Sequence, residues 1–215
     1  MDSHIGYGAP NKQDTSGAHG EPLDEEEIQL AKRNSGWAQD KRFYVPEGVY
    51  DHFRQGIGKR GKRLRDDWFA QIDDHRRHYP DLAEELFRMQ HRQLPEGWDR
   101  GLPEFPSDPK GMATRESSAN VLNAVANNVP WLIGGSADLA PSSKTRITHE
   151  GAGDFSAENH AGRNLLFGIR EHAMGALLNG LSLAKARPFG SGFFIFADYM
   201  RGSLRLNALM ELPVI

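Results

Sequence analysis

Glu171 is the residue type best suited to proton work in this chain. It stands in Gly168-Ile169-Arg170-Glu171-His172-Ala173-Met174, where an extended apolar run gives way to a helical one. A carboxylate held among apolar groups stays partly protonated and can give and take a proton. The same residue at a helix start is also simply favoured by the dipole. Downstream, Phe193, Phe196 and Tyr199 recur every three residues, with Phe194 between them and Gly190, Ser191 and Gly192 just before. Such rings can clamp a flat heterocycle by stacking, or form plain core. Gly134-Gly135-Ser136-Ala137-Asp138-Leu139 follows an apolar run and reads as a strand exit. Two glycines there would let the backbone turn and approach a ligand, with Asp138 bonding its own loop or facing that ligand. Pro141-Ser142-Ser143-Lys144-Thr145-Arg146 joins hydroxyls to cations, the groups that a phosphate needs. Arg115, at a helix start, adds a cation that could pair with an anion or a nearby acid. His19 closes a polar loop that runs from Asn11 to Gly20.

These residues need a scaffold. The chain has 215 residues, 38% hydrophobic and 26% charged, enough to bury a core. No run approaches the ~20 apolar residues of a membrane span, and the N-terminus lacks a signal-peptide plan. Cysteine is absent, which excludes disulfides, thiolate metal sites and a Cys nucleophile. A formal net charge of -3 argues against general nucleic-acid binding. Lys59, Arg60, Lys62, Arg63 and Arg65 form a basic run, but Asp66, Asp67, Asp73 and Asp74 follow and make it a self-paired, solvated segment.

Helix signals are clear from about Asp24 to Asn34, with a capping Asp24, three following glutamates, and Lys32 and Arg33 near the end. Residues from about 49 to 94 read as helical. Pro80 stands at a helix start there, and Leu82, Leu86 and Met89 share one face. Pro95, Pro103, Pro106 and Pro109 mark a linker. Beyond it, short apolar strands alternate with helices. Strands are expected at residues 131–133, 164–169, near Pro188 and from Val214; helices at 113–127, 171–184 and 198–210. Val121, Leu122 and Val125 are expected to face inward. This pattern predicts an α/β fold with a parallel sheet flanked by helices. Ile5-Gly6-Tyr7-Gly8 reads as the end of a strand with nothing before it, and Val214-Ile215 as a strand just beginning. The fold is therefore expected to be incomplete at both ends.

Taken in order, Ile5-Gly6-Tyr7-Gly8 through His19-Gly20, Gly134 through Leu139, Gly168 through His172, and Phe193 through Arg201 resemble transketolase. The resemblance implies a thiamin-diphosphate-binding fold and transfer of a two-carbon ketol unit from a ketose phosphate to an aldose phosphate. It implies thiamine diphosphate with Mg2+ or Ca2+, a homodimer or complementary transketolase chain as partner, sugar-phosphate substrates, no nucleic acid, no membrane, and a cytoplasmic location. It divides the chain into residues 1–37 as the tail of a diphosphate-binding domain, 38–111 as an interdomain segment, and 112–215 as the front of a pyrimidine-binding domain. By the same resemblance Glu171 hydrogen-bonds the aminopyrimidine ring nitrogen. Phe193, Phe196 and Tyr199 surround that ring, with Phe196 the firmest contact, and Asp138 lies near the cofactor and the dimer seam. His19 lies near the diphosphate and the substrate hydroxyls and joins Glu171 as a catalytic candidate. Arg115 and Ser142 contact the substrate phosphate. Ser16, Glu21 and Asp24 depart from the residues common in the family around His19. The family's Gly-Asp-Gly metal motif does not occur, so metal ligands are expected outside this chain. Alternatives are a non-catalytic fragment or split-enzyme subunit supplying only the pyrimidine half-site, and a deoxyxylulose-phosphate or dihydroxyacetone synthase. The isolated chain is expected to be inactive.

Overall fold

The computed structural model describes residues 2–215, in two compact units that meet at Ala70 and Gln71. In the first unit, residues 5–8 form turns, where a strand end was expected. Gly6 and Gly8 take φ of 66° and 87°, which breaks extended backbone and suits glycine. A one-turn helix α1 (Gly17–Gly20) follows, then α2 (Glu25–Asn34). Asp24 caps α2 as its sequence predicts, accepting a 2.8 Å bond from the Glu27 amide. Glu27 is buried, and its carboxylate accepts from the backbone and side-chain nitrogens of Asn11 at 2.8 and 2.7 Å. These bonds hold the loop carrying Asn11 against α2.

A helix α3 (Val49–Phe53) runs through a π-helical turn (Arg54–Gly58) into α4 (Lys59–His78). No residue of α4 is buried. Its charges pair along the helix, Lys62 with Asp66 and Arg77 with Asp74, as the charge pattern predicts.

The second unit begins within α4 and continues into α5 (Pro80–Gln90), with Pro80 in its first turn. Leu86 and Met89 are half-buried, but Leu82 is exposed, so the expected apolar face is only partly covered. Then come α6 (Thr114–Asn128), β1 (Leu132–Ser136), a one-turn helix α7 (Ala140–Ser143), β2 (Asn164–Leu166), α8 (Glu171–Leu183) and β3 (Arg187–Ser191). A 3-10 helix (Phe194–Met200) leads into α9 (Arg201–Leu209). No described helix is long and apolar enough to cross a membrane.

The sheet is parallel in the order β2-β1-β3, with Gly134 opposite Asn164 on one side and Phe189 on the other. Ile215 adds one further parallel step beyond β3: its amide donates to the Pro188 carbonyl and its carbonyl accepts from the Gly190 amide. Helices flank the sheet through two apolar clusters. Ala126 of α6 packs with Val129, Leu132, Ile147 and Phe189; Met174 and Leu178 of α8 pack with Ala137 and Phe167. Leu122 and Val125 join the first cluster, whereas Val121, expected inside, is exposed.

The structure corrects the reading of Gly134 and Gly135. They do not form the exit turn but lie inside the central strand, without positive φ. A Cβ on Gly134 would collide with the Phe189 carbonyl oxygen, and one on Gly135 with that of Leu165. Glycine permits close approach of neighbouring strands here. The turn falls instead at Asp138, whose φ is 60°.

Arg163 holds the sheet to α6. Its Nε donates to the Leu132 carbonyl at 2.9 Å, and Nη2 to the Ala126 and Val129 carbonyls, both at 2.9 Å. The latter two lie at the carboxyl end of α6, where a cation is favoured. Burial lowers the Arg163 pKa from its ordinary value, with Glu85 opposing. Replacing Arg163 with Met leaves these carbonyls without their donor and is expected to cost about 3 kcal/mol. Urea denaturation measures it; an unchanged midpoint would show that water replaces the guanidinium fully.

Candidate active site

Glu171 is the first residue of α8. The chain reaches it through Gly168, whose φ is 66°, and through Arg170, whose Nη1 donates to the Phe167 carbonyl at 3.0 Å. The Glu171 side chain is half-buried at the positive end of the helix. The helix is fixed from behind by α9. Asn179 donates to the Ser203 carbonyl at 2.9 Å, and Asn207 donates to the Asn179 Oδ1 at 3.1 Å. Gly175 gives room for the Ser203 and Met200 side chains.

The 3-10 helix, which carries Phe196 and Tyr199, packs against α8, the helix that Glu171 leads. The ring centroids of Phe193 and Phe196 are 6.2 Å apart, and those of Phe196 and Tyr199 are 6.3 Å apart. Both pairs are inclined by about 30°. Phe196 is half-buried, while Phe193 and Tyr199 are 45% and 67% exposed. At Gly190 of β3, Leu178 and Met174 fill the space that a side chain would take.

A groove of about 810 Å³ opens beside the carboxyl end of β1. Asp138, Asn120, Asn123, Lys144, Arg146 and Thr148 contribute to its walls. Arg115 and Ser142 do not line it, but an ion pair between Lys144 and Glu116 at 3.6 Å links their two segments. Both residues are exposed. The Lys144 backbone is left-handed, with φ 58°, where the chain leaves α7.

His19 is in the first unit, exposed, in α1. Nearby, Lys12 bonds Glu21 at 2.7 Å. That hydrogen bond, with the attraction between the charges, lowers the Glu21 pKa and raises that of Lys12. The remaining candidates all belong to the second unit. There the 3-10 helix bearing Phe196 and Tyr199 lies against α8, which Glu171 leads, and Asp138 shares the groove with two cations.

Three contributors escape a sequence reading. Asn164 is buried; its side chain accepts from the Ile147 amide at 2.8 Å and donates to the Ile147 and Gly153 carbonyls at 3.0 and 2.9 Å. An Asn opening an apolar strand was the available signal, since strands disfavour it. Asn123 holds the groove wall by accepting from the Thr148 amide at 2.7 Å. Arg163 had no local signal, because all its acceptors lie at least 14 residues away.

Residues 1–95 match the family described as "Transketolase, thiamine diphosphate binding domain", and residues 110–215 match "Transketolase, pyrimidine binding domain". The chain belongs to the transketolase family. It is 48% identical over 212 residues to a transketolase of Geobacillus stearothermophilus, covering 98% of this chain and 31% of that one. Transketolase 2 of Saccharomyces cerevisiae is 39% identical over 218 residues, covering 98% and 32%. Among solved structures, transketolase from Leishmania mexicana superposes with a TM-score of 0.84 at 36% identity, covering 98% and 31%. A Pichia stipitis transketolase described in complex with sedoheptulose 7-phosphate superposes at 0.81 with 34% identity, covering 100% and 32%. The chain thus spans about a third of the length of the transketolases it matches. The transketolase fold accounts for the parallel sheet and its flanking helices.

Proposed function

We propose that this chain serves a transketolase reaction: transfer of a two-carbon ketol unit from a ketose phosphate to an aldose phosphate, with thiamine diphosphate. The half-buried Glu171 at the head of α8, with exposed Phe193 and Tyr199 flanking half-buried Phe196 on the segment that packs against that helix, supports this reading. That arrangement fits an aminopyrimidine, which needs flat apolar cover and a carboxyl at a ring nitrogen. When bound, thiamine diphosphate supplies the electron sink for carbon–carbon cleavage. Phe193, Phe196 and Tyr199 would cover the ring and exclude water. Glu171 would hold and exchange a proton through its carboxyl oxygen. Asp138 would stand at the cofactor edge. Arg115 and Ser142 would orient the sugar phosphate through a charge and a hydroxyl, and His19 would meet the diphosphate and substrate hydroxyls.

Among the described residues, no group of three His, Asp or Glu side chains could hold a metal ion. By the resemblance the Mg2+ or Ca2+ is assigned to ligands outside this chain, and no step here runs through it. The reading includes a second transketolase chain as partner, for which Phe194 and Ile195 offer exposed apolar surface. It includes a cytoplasmic location, compatible with a chain free of cysteine. It also keeps residues 1–37, 38–111 and 112–215 as tail, interdomain segment and pyrimidine-binding front.

A chimera tests it. These 215 residues would replace the matching third of the Geobacillus stearothermophilus enzyme. The chimera is expected to transfer ketol units from xylulose 5-phosphate to ribose 5-phosphate, and the 215-residue chain alone to show no turnover. A folded chimera that binds thiamine diphosphate yet leaves both sugars untouched would overturn the assignment.

A further inference from the structure

His149 lies on the segment between α7 and β2, next to Thr148 of the groove wall. Its ring makes two hydrogen bonds. Nε2 is 3.1 Å from the Arg163 Nη1, and Nδ1 is 3.0 Å from the Glu150 carbonyl oxygen. A guanidinium has donors only and stays protonated, so Nε2 must be the acceptor. A carbonyl accepts only, so Nδ1 must carry the hydrogen. Both contacts are satisfied together by one species, the neutral imidazole with its proton on Nδ1. A proton on Nε2 removes the lone pair and sets two cations face to face.

Arg163 cannot easily move aside. Its other nitrogens are engaged by the Leu132, Ala126 and Val129 carbonyls, which tie it to β1 and the end of α6. The charged groups around the pair are few. Glu85 of α5 acts on Arg163, Glu150 adjoins His149 in sequence, and Arg146 pairs with Asp154 at 2.6 Å. Among the described residues no carboxylate bonds the His149 ring, and Glu85 acts on the pair only from a distance.

We propose that His149 is a pH-sensitive latch. Neutral, it fastens the loop of residues 148–151 to the fixed Arg163; protonated, it releases the loop and loosens the groove wall at Thr148. The neighbouring bonds set how far release extends. The Thr148 amide donates to Asn123 at 2.7 Å and lies on the released stretch. Buried Ala152 stays tied, its carbonyl accepting from the Arg163 amide at 2.7 Å, but its own amide donates to the His149 carbonyl at 3.2 Å and loses that partner. The Ile147 amide is held by buried Asn164 and stays closed. The latch does not depend on the ketol-transfer reading.

Hydrogen exchange of the 215-residue chain at about pH 8 and about pH 5, corrected for intrinsic rates, tests it. The Thr148 and Ala152 amides are expected to open about tenfold more at the lower pH, with Ile147 unchanged. His149→Gln keeps an acceptor for Arg163 and cannot titrate, so its protection should be flat with pH. His149→Lys should be open at both. An equal pH response in wild type and His149→Gln, or a flat wild type, overturns the latch. If the variants do not fold, the wild-type ring is titrated by NMR. Its midpoint must coincide with that of Thr148 and Ala152 opening, and separate midpoints overturn the latch as well.

Discussion

Glu171→Gln, made in a full-length transketolase carrying this segment, is expected to lower kcat about a thousandfold. Glutamine keeps the size of the side chain and its place in the first turn of α8. It cannot take up or release a proton, and that exchange is the whole contribution assigned to Glu171. The change should leave the fold intact. A lost negative charge at a helix start costs only about 0.5 kcal/mol. The aromatic row is held independently, since Asn179 and Asn207 tie α8 to α9 well away from residue 171. The expected signature is therefore a collapsed kcat with little change in KM for either sugar phosphate. Steady-state kinetics with thiamine diphosphate in excess measure it. Near-normal turnover in the Gln variant would remove Glu171 from the chemistry and reduce it to a helix-start residue.

Gly134→Ala is expected to destabilise the second unit by about 4 kcal/mol, a large part of the stability of a small domain. The obstacle is backbone. The added methyl would meet the Phe189 carbonyl of β3, which belongs to the ladder and cannot rotate away like a side chain. Gly134 is also paired on its other side, donating its amide to the Arg163 carbonyl at 3.1 Å. Relief of the clash must therefore shift β1 against both neighbours. Loss of cooperative thermal unfolding, or inclusion-body expression, is the expected observation. Gly36→Ala is a useful contrast: no atom lies within 4 Å of the added methyl, and only the positive φ of 67° opposes it. That variant should lose about 1 kcal/mol. A Gly134→Ala protein that melts like wild type would show that the sheet yields more readily than its register suggests.

Local chemistry was legible in the order of residues. Asp24 before three glutamates announces the start of α2, and Pro80 announces that of α5, because a cap and a missing amide act within one turn. Alternation of short apolar runs with helical ones announces a parallel sheet, since such strands must be covered on both faces. The position of Glu171 at a helix start was legible for the same reason. Motif order was enough to bring out the family resemblance. It also misled in places. Gly134-Gly135 looked like a turn because glycine pairs usually serve turns. Nothing nearby in the chain reveals that Phe189 and Leu165 press on both flanks. Val121 looked interior, although α6 turns a neighbouring stripe toward the sheet.

What the amino-acid sequence determined by itself was the alternation of strands and helices beyond residue 112, the limits of α2, α6 and α8 to within a residue or so, and the set of chemical groups available to the site. These depend on interactions within a few residues, whose energies do not need the rest of the fold. Only the tertiary structure decided that Arg163 joins β1, α6 and His149, that Asn164 closes the loop before it, and that the aromatic row lies against the helix led by Glu171. The hydrogen bonds among those contacts join residues 14 to 37 positions apart. They exist only once β2, β1 and β3 have taken their order, and that order is set by packing on both faces of the sheet rather than by any one segment.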